Sequence, residues 1–299
     1  MKISIPAPAE EIIGKLNEYG YEAYVVGGCV RDMMLGREPG DWDITTSAKP
    51  EEVKEIFGKT VDTGLQHGTV TIIKNRRGYE VTTYRIDGEY RDGRHPDSVE
   101  FTSSLLEDLK RRDFTINAMA YSHETGIVDA FDGMGDLEKK VIRCVGCPRD
   151  RFTEDALRIL RAIRFAAQLG FSIEGETYGA IREIAPNLKN VSKERIQVEL
   201  TKLLTSAHPE KIAMVEDTGI SPYVTGDFPL VFQAERERMA GAASGPEPFS
   251  CLVGAVLRPK QGERVCGDTL MSFQTEDGTW CLLLCDGMGS GEGARKESS

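Results

Sequence analysis

The sequence lacks the features that mark membrane and secreted proteins. It has no run of about 18 apolar residues, so no segment is predicted to cross a membrane. The N-terminus, MKISIPAPAEE, has no apolar core of the kind that a signal peptide needs. The seven cysteines are odd in number and lack the spacing of a disulfide framework, which favours reduced thiols. These absences predict a cytoplasmic protein without a membrane partner.

A surplus of positive charge is also missing. The formal net charge is −11 over 299 residues, which argues against a protein that binds nucleic acid over most of its surface. The charge is uneven, because residues 143–202 contain eleven Lys and Arg but eight Asp and Glu, a local balance of +3. Any contact with RNA is therefore expected there. The length predicts two domains or more.

Residues 24–44 combine a short apolar run, a glycine pair, a helix-like segment and two aspartates. The apolar run is typical of a buried strand, and it ends at Gly27 and Gly28. Glycines between a strand and a helix let a ligand approach the backbone, which is typical of a phosphate-binding loop. Asp41 and Asp43 follow a turn, and their spacing predicts that both side chains project from one face of a strand. Two carboxylates beside a phosphate site suit Mg²⁺.

Each part of this pattern also has an ordinary structural explanation. A lone GG is usually a turn, and a lone DxD is usually a solvated strand end. Here the two motifs occur together, in the order strand, GG, helix with Arg31 and Asp32, turn, and DxD. A chance arrangement explains this combination much less well than it explains either motif alone.

Residues 105–121 contain a second motif, LLEDLKRRDFTINAMAY. Its leucines have the spacing of the apolar side of a helix, and Arg111 and Arg112 follow where that helix is expected to end. Asn117 is expected to order the local backbone.

Residues 153–169 contain the third motif, and their pattern predicts one helix with a buried side. Asp155, Arg158, Arg161 and Arg164 recur at three-residue spacing and are therefore expected along one face. A solvated amphipathic helix with an Asp–Arg pair is the ordinary explanation. Three arginines without matching acids on that face favour a polyanionic partner instead. A second helix is predicted over residues 191–205, capped by Ser192, with Glu199 available to brace those arginines.

The motifs GGCVRD, GDWD, RRDFTINAMA and EDALR resemble the polymerase-β-like nucleotidyltransferases. More narrowly, they resemble the class II CCA-adding enzymes and their poly(A) polymerase relatives, over about residues 10–223. The resemblance implies an α/β (α+β) head with a small, mixed, largely antiparallel sheet, followed by an all-helical neck. We therefore expect a head at residues 1–138, a neck at 139–224, a linker at 225–248 and a C-terminal segment at 249–299.

The same resemblance implies a reaction and its site residues. A nucleoside monophosphate would pass from CTP or ATP to the 3′ hydroxyl of a tRNA. Asp41 and Asp43 would hold two Mg²⁺ ions, and Glu80 is the candidate for a third acidic ligand, although a solvated strand glutamate explains it equally well. The residues implied in nucleotide binding are Gly28, Arg31, Arg112, Asp155, Arg158, Arg161 and Arg164.

Asp155 and Arg158 match the family's EDxxR pattern and predict that protein side chains choose the nucleotide. Cytosine and adenine both present an amino donor beside a ring-nitrogen acceptor. A carboxylate can accept from the amine while an arginine donates to the ring nitrogen. The alternative is that Asp155 and Arg158 pair with each other as part of the neck.

Residues 249–299 show a β-hairpin pattern and resemble the opening of the PPM-type phosphatase domain of stage II sporulation protein E. Asp268 and Asp286 match its metal-binding positions, but the chain stops before the remaining acidic residues, so no active phosphatase is expected. Three alternatives stay open: a poly(A) polymerase that uses ATP, a sporulation-linked phosphatase fragment, and a non-catalytic RNA-binding remnant of a fusion.

Overall fold

The computed structural model describes residues 4–88 and 99–224, together with the backbone of two strands at 269–274 and 280–285. The chain divides into two compact units, Met1–Thr225 and Gly226–Ser299. Within the described residues no helix is long and apolar enough to cross a membrane.

The described helices and strands alternate through the first 150 residues, after which helices predominate. The helices are α1 (Ala7–Glu18), α2 (Gly28–Met34), α3 (Pro50–Ile56), α4 (Leu105–Lys110), α5 (Gly133–Lys139), α6 (Pro148–Glu154), α7 (Leu157–Leu169), α8 (Gly175–Ile184), α9 (Lys193–Leu204), α10 (Ala213–Asp217) and α11 (Ser221–Val224). The strands are β1 (Ala23–Val26), β2 (Asp43–Thr46), β3 (Thr60–Gly64), β4 (Thr69–Lys74), β5 (Arg77–Thr83), β6 (Arg85–Asp87), β7 (Val99–Phe101), β8 (Met119–Ser122), β9 (Gly126–Asp129), β10 (Val141–Ile142), β11 (Ser172–Ile173), β12 (Thr269–Gln274) and β13 (Trp280–Cys285).

Seven of the described strands form one sheet in the order β3-β4-β5-β2-β1-β8-β9. The β2–β5 pair is parallel, and the other neighbouring pairs in this sheet are antiparallel. The prediction of a mixed, largely antiparallel sheet is therefore confirmed. The parallel pairing has a direct consequence for the site, because its register sets Asp43 opposite Glu80.

The apolar run that predicted a buried strand forms β1, the strand next to β2 in the sheet. All four of its residues are buried, and Val25 and Val26 are almost completely inaccessible. Helix α1 contributes Ile12 and Leu16 to the core, both fully buried. The start of β2, where Asp43 lies two residues after Asp41, is therefore attached to a rigid support.

The neck contains mostly helices, as expected, with one departure. Strands β10 and β11 form a short parallel pair within it, so the neck is not wholly helical. The second predicted neck helix is confirmed as α9, and the Ser192 side chain caps it by accepting a hydrogen bond from the Arg195 N–H.

The single helix predicted over residues 153–169 is wrong. Helix α6 ends at Glu154 and α7 begins at Leu157, with Asp155 between them in an extended conformation (φ −142°, ψ 103°). The Asp155 carboxylate accepts a hydrogen bond from the Leu157 N–H at 3.0 Å, and this local bond competes with the helical hydrogen bonds. Asp155 therefore does not share a helical face with the arginines that follow it.

Strands β12 and β13 of the second unit form an antiparallel pair, which agrees with the hairpin pattern of that segment. Asp268 and Asp286, the aspartates compared with phosphatase ligands, lie outside the described residues.

Candidate active site

A cavity of about 700 Å³ opens between the head and the neck. Its lining contains eight Arg and Lys side chains and five Asp side chains, a balance of +3 in a chain whose net charge is −11. It brings together nine of the ten predicted site residues, which are Gly28, Arg31, Asp41, Asp43, Arg112, Asp155, Arg158, Arg161 and Arg164. The cavity is thus suited to an anionic ligand.

The glycine pair forms the tight connection between β1 and α2. Gly27 has φ +80°, and its N–H donates to the Met119 carbonyl at 3.0 Å. A Cβ at Gly27 would lie 2.9 Å from Nη1 of Arg112, whereas a Cβ at Gly28 would lie 3.6 Å from Nη2 of Arg31. The sequence pattern pointed to Gly28, but the structure shows that Gly27 is the position where a side chain would fit less well.

The alternation of exposed and buried side chains predicted around the two aspartates is observed, although only Asp43 belongs to a strand, since β2 begins there. Asp41 and Asp43 are exposed, whereas Trp42 and Ile44 between and after them are buried. Asp43 remains accessible, but the surrounding wall displaces bulk water and raises the pKa of its carboxyl. Arg112 opposes this rise in pKa, whereas the nearby charges of Glu80 and Asp41 add to it.

Glu80 does not line the large cavity but a second one, of about 220 Å³, on the neighbouring part of the sheet. Asp43, Arg111 and Arg112 line both cavities. Asp43 is therefore the carboxylate that connects the two spaces, with Glu80 as its partner on β5.

The basic pair at the end of α4 is organised by one buried acid. Asp108 is fully buried and accepts from Nε and Nη2 of Arg111 at 2.9 and 2.8 Å, and from Arg112 at 3.4 Å. Burial would raise the pKa of Asp108, but the two guanidinium groups outweigh it and hold the pKa below its usual range. The Nε of Arg112 is buried without a hydrogen-bond partner among the described residues.

The arginines of α7 were expected to lack matching acids on their own helical face, and their acid partners do lie on other elements. Arg158 pairs with Glu154 at 2.7 Å, Arg161 with Asp113 at 2.5 Å, and Arg164 with Glu199 at 2.5 Å. These acids come from α6, from the RRD motif and from α9, so the sequence of α7 alone could not reveal them. The bracing of Arg164 by Glu199 is as expected.

Asp113 and Asn117 link the head to the neck through side chains. Asn117 accepts from Nη1 of Arg31 at 2.6 Å and donates to Asp113 at 3.2 Å, and Asp113 accepts from Arg161. Burial would raise the pKa of Asp113, but Arg161 and Arg158 lower it to about 2. Asn117 therefore joins two charged side chains, whereas its sequence context had indicated a role for the local backbone.

Arg195 was missed by the sequence analysis. Its Nη2 donates to Oδ2 of Asp155 at 2.8 Å, and both residues line the large cavity. The helical spacing of Arg195, Glu199 and Lys202 places them on one side of α9, and this spacing was the available signal. All three reach the cavity or a residue that lines it.

Comparison with known proteins matches two family descriptions to this chain. "Poly A polymerase head domain" matches residues 23–143, and "Probable RNA and SrmB-binding site of polymerase A" matches residues 170–228.

Individual relatives agree with these matches. The CCA-adding enzyme of Leuconostoc mesenteroides is 56% identical over 196 residues, which cover 66% of this chain and 49% of that protein. The solved structure of the Bacillus stearothermophilus CCA-adding enzyme in complex with CTP is 45% identical with a TM-score of 0.69, and the match covers 74% of this chain and 55% of that one. The Thermotoga maritima CCA-adding enzyme complexed with tRNA is 27% identical with a TM-score of 0.62, covering 74% and 53%.

The chain spans about half the length of the curated relatives it matches. The resemblance seen in the motifs is confirmed, and no finding supports the likeness of the C-terminal segment to a phosphatase. Over its head and neck, this chain belongs to the class II family of CCA-adding enzymes and poly(A) polymerases, which are nucleotidyltransferases.

Proposed function

We propose that this chain adds CMP and AMP, taken from CTP and ATP, to the 3′ end of tRNA. The observation that carries the proposal is the large cavity, which joins a glycine loop, a carboxylate pair, a positive lining and the Asp155–Arg158 motif in one space. The solved relatives bound to CTP and to tRNA support this choice of substrates.

Asp41 and Asp43 would hold two Mg²⁺ ions, with Glu80 as a further ligand. The donor set fits, because carboxylate oxygens are the ligands that Mg²⁺ prefers. Within the described residues no three His, Cys, Asp or Glu side chains are grouped closely enough to hold an ion alone. Glu80 is thus not grouped with both aspartates in this structure, and substrate phosphates and water would supply the remaining ligands. When bound, Mg²⁺ would neutralise the triphosphate and lower the pKa of the attacking hydroxyl.

Gly28, Arg31 and Arg112 would hold the triphosphate. Gly28 begins α2 at the wall of the cavity, and Arg31 is fixed there by Asp32 at 2.8 Å and by Asn117. Arg112 has a buried Nε with no partner among the described residues, which a phosphate oxygen would satisfy. Because these groups are held before the nucleotide arrives, little ordering is needed when it binds.

Asp155 and Arg158 would read the edge of the nucleobase. An ionised carboxylate only accepts hydrogen bonds and a guanidinium only donates them, which matches the amino group and ring nitrogen of cytosine and adenine. Uracil and guanine present a carbonyl and a ring N–H in that order, so they would leave buried polar groups unpaired. Arg161 and Arg164 would support binding from the same wall, held in place by Asp113 and Glu199.

The decisive experiment incubates the 299-residue chain with tRNA that lacks its terminal CCA, under CTP alone, ATP alone and both. CCA addition requires CMP incorporation with CTP alone and completion only when both are present. Repeated AMP addition with ATP alone would identify a poly(A) polymerase instead. Absence of incorporation under all three conditions, with the chain folded, would overturn the proposal.

A further inference from the structure

We infer that Arg195 of α9 is a positioning residue that fixes the Asp155 carboxylate and so determines which nucleobases the cavity accepts. The inference rests on the proposed function, since it concerns how the same site selects its nucleotide. Arg195 does not need to touch the base to have this effect.

The backbone does not fix the Asp155 side chain in the way a helix would. Asp155 lies in the extended break between α6 and α7. In a helix the preceding turn disfavours the χ1 rotamer near +60°, whereas the extended backbone of Asp155 does not impose that restriction. The orientation of its carboxylate therefore depends on hydrogen bonds.

Two hydrogen bonds hold that carboxylate. The Leu157 N–H donates to Oδ1 at 3.0 Å, and Nη2 of Arg195 donates to Oδ2 at 2.8 Å. The first bond is local, whereas the second comes from a residue 40 positions away. The side chains of Asp155 and Arg195 are only 14% and 21% exposed, so water competes weakly for this pair.

The arrangement leaves Asp155 able to serve a base. An ionised carboxylate has about four acceptor positions, and the two hydrogen bonds occupy one on each oxygen. The remaining positions can accept from an exocyclic amine. Because Arg195 stops the carboxylate from turning, Asp155 offers an acceptor in one direction, and a carbonyl placed there finds no donor.

Helix α9 holds the opposite part of the same wall in a similar way. Glu199, one turn after Arg195, accepts from Nε of Arg164 in α7. One side of α9 therefore holds both Asp155, which precedes α7, and Arg164, which lies within α7. Arg195 acts on the group that would contact the base, which separates its effect on selectivity from the general packing of the neck.

The test measures the binding of CTP, ATP, UTP and GTP by isothermal titration calorimetry with Mg²⁺ and without RNA, so that no transfer occurs. The variants are Arg195→Met and Arg195→Gln. The control is Arg149→Met, which removes an exposed ion pair of the neck with Glu183 (2.7 Å). Circular dichroism identifies the variants that keep the wild-type fold.

We expect the ratio of CTP to UTP affinity to fall about tenfold in Arg195→Met, because a hydrogen bond to a charged group is lost. Arg195→Gln keeps a donor without the charge, so its ratio should lie between those of the wild type and the methionine variant. Arg149→Met should keep the wild-type ratio.

An unchanged ratio in either folded Arg195 variant, or an equal weakening of all four nucleotides, would overturn the inference and leave Arg195 as a structural ion-pair residue. A wild-type chain that does not prefer CTP and ATP over UTP and GTP would instead overturn base selection in the proposed function. A wild-type chain with that preference, joined to an unchanged variant ratio, would overturn only the role of Arg195.

Discussion

Asp43 of the head and the arginines of the neck line the same cavity but are held in place by different interactions. Asp43 and Glu80 are brought together by the backbone register of β2 and β5. Arg161 and Arg164 are held by single acids that lie 48 and 35 residues away in the sequence. The first arrangement depends on strand pairing, which many residues share, whereas the second depends on individual side chains.

This difference predicts how each region responds to mutation. A substitution at a carboxylate should leave the sheet intact and remove chemistry. A substitution in the neck's ion pairs should disturb stability and selectivity together, because the same atoms serve both. The five predictions below test this contrast.

The largest effect on activity is expected at Asp43, whose side chain is proposed to serve the reaction and not the fold. Asp43→Asn keeps the size of the side chain but removes a charged ligand, so nucleotide incorporation should fall about a thousandfold, since metal stabilisation is worth several kcal/mol. Thermal unfolding should change little. Asp62→Asn, on β3 of the same sheet, is the matched control and should keep wild-type incorporation. Near-wild-type turnover in Asp43→Asn would show that Asp43 is not an essential metal ligand.

The opposite pattern is expected at a buried ion pair of the neck. Glu199→Gln leaves Arg164 buried without its acid, and the free energy of unfolding should fall by about 3 kcal/mol. Urea unfolding measures this loss. Glu183→Gln breaks an exposed pair and should change the unfolding free energy by less than about 1 kcal/mol. Equal effects in the two variants would show that burial does not decide the strength of these pairs.

The choice of nucleotide should depend on side chains of the neck and not on the sheet. Exchanging Asp155→Arg and Arg158→Asp together reverses donor and acceptor at the predicted base-reading positions. The preference for CTP and ATP over UTP and GTP should fall about a hundredfold, because two buried hydrogen bonds of roughly 1–3 kcal/mol each are affected. Competition between labelled nucleotides measures the ratio. A folded, active double variant with the original preference would exclude this pair as the selector.

Acid should weaken the neck through Asp113. Its folded pKa of about 2 lies below the usual aspartate pKa of 3.8, so the protonated form is disfavoured in the folded state. This contributes about 2 kcal/mol of stability above pH 4, which is lost as the pH falls from about 4 towards 2. Urea unfolding across that pH range measures the slope, and the slope should be smaller in Asp113→Asn. The same slope in both proteins would assign the acid sensitivity to other carboxyls.

The smallest effect is expected at Glu80, which lies beside Asp43 but outside the large cavity. Glu80 lines the smaller cavity and acts on Asp43 through its charge. Glu80→Gln should raise the Mg²⁺ concentration needed for half-maximal turnover about tenfold, by weakening one ligand among several. Titration with Mg²⁺ at saturating nucleotide measures it. An unaltered Mg²⁺ dependence would return Glu80 to the role of a solvated strand residue.

The features that could be predicted from the sequence also differ between the two regions. The strand before the glycines, the alternation around Trp42 and the Ser192 cap were predicted correctly, because each depends on neighbours a few residues away. The partner of Arg161 was not predicted, because Asp113 lies on another element 48 residues away, and the partner of Arg158 was not named either, because Glu154 lies across the break at Asp155. The partner of Arg164, Glu199, was predicted.

The break at Asp155 was missed for a related reason. The apolar spacing of residues 153–169 fits one helix, and only the hydrogen bond from Leu157 to the Asp155 side chain shows why the chain turns there. A side chain that competes with the backbone leaves no mark on hydrophobic periodicity. The sequence therefore singled out Asp155 and Arg158, whereas their orientation needed the structure.

The wall of the large cavity extends along the chain from Gly27 to Lys202. During synthesis the ribosome releases all of the carboxylates, the glycine loop and the RRD motif before α9 emerges. A nascent chain that stops short of α9 would contain the groups proposed to hold the metal and the triphosphate but would lack the partners of Asp155 and Arg164. Under the proposed function, discrimination between nucleotides would thus be acquired when α9 is made, later than the groups that would bind a triphosphate.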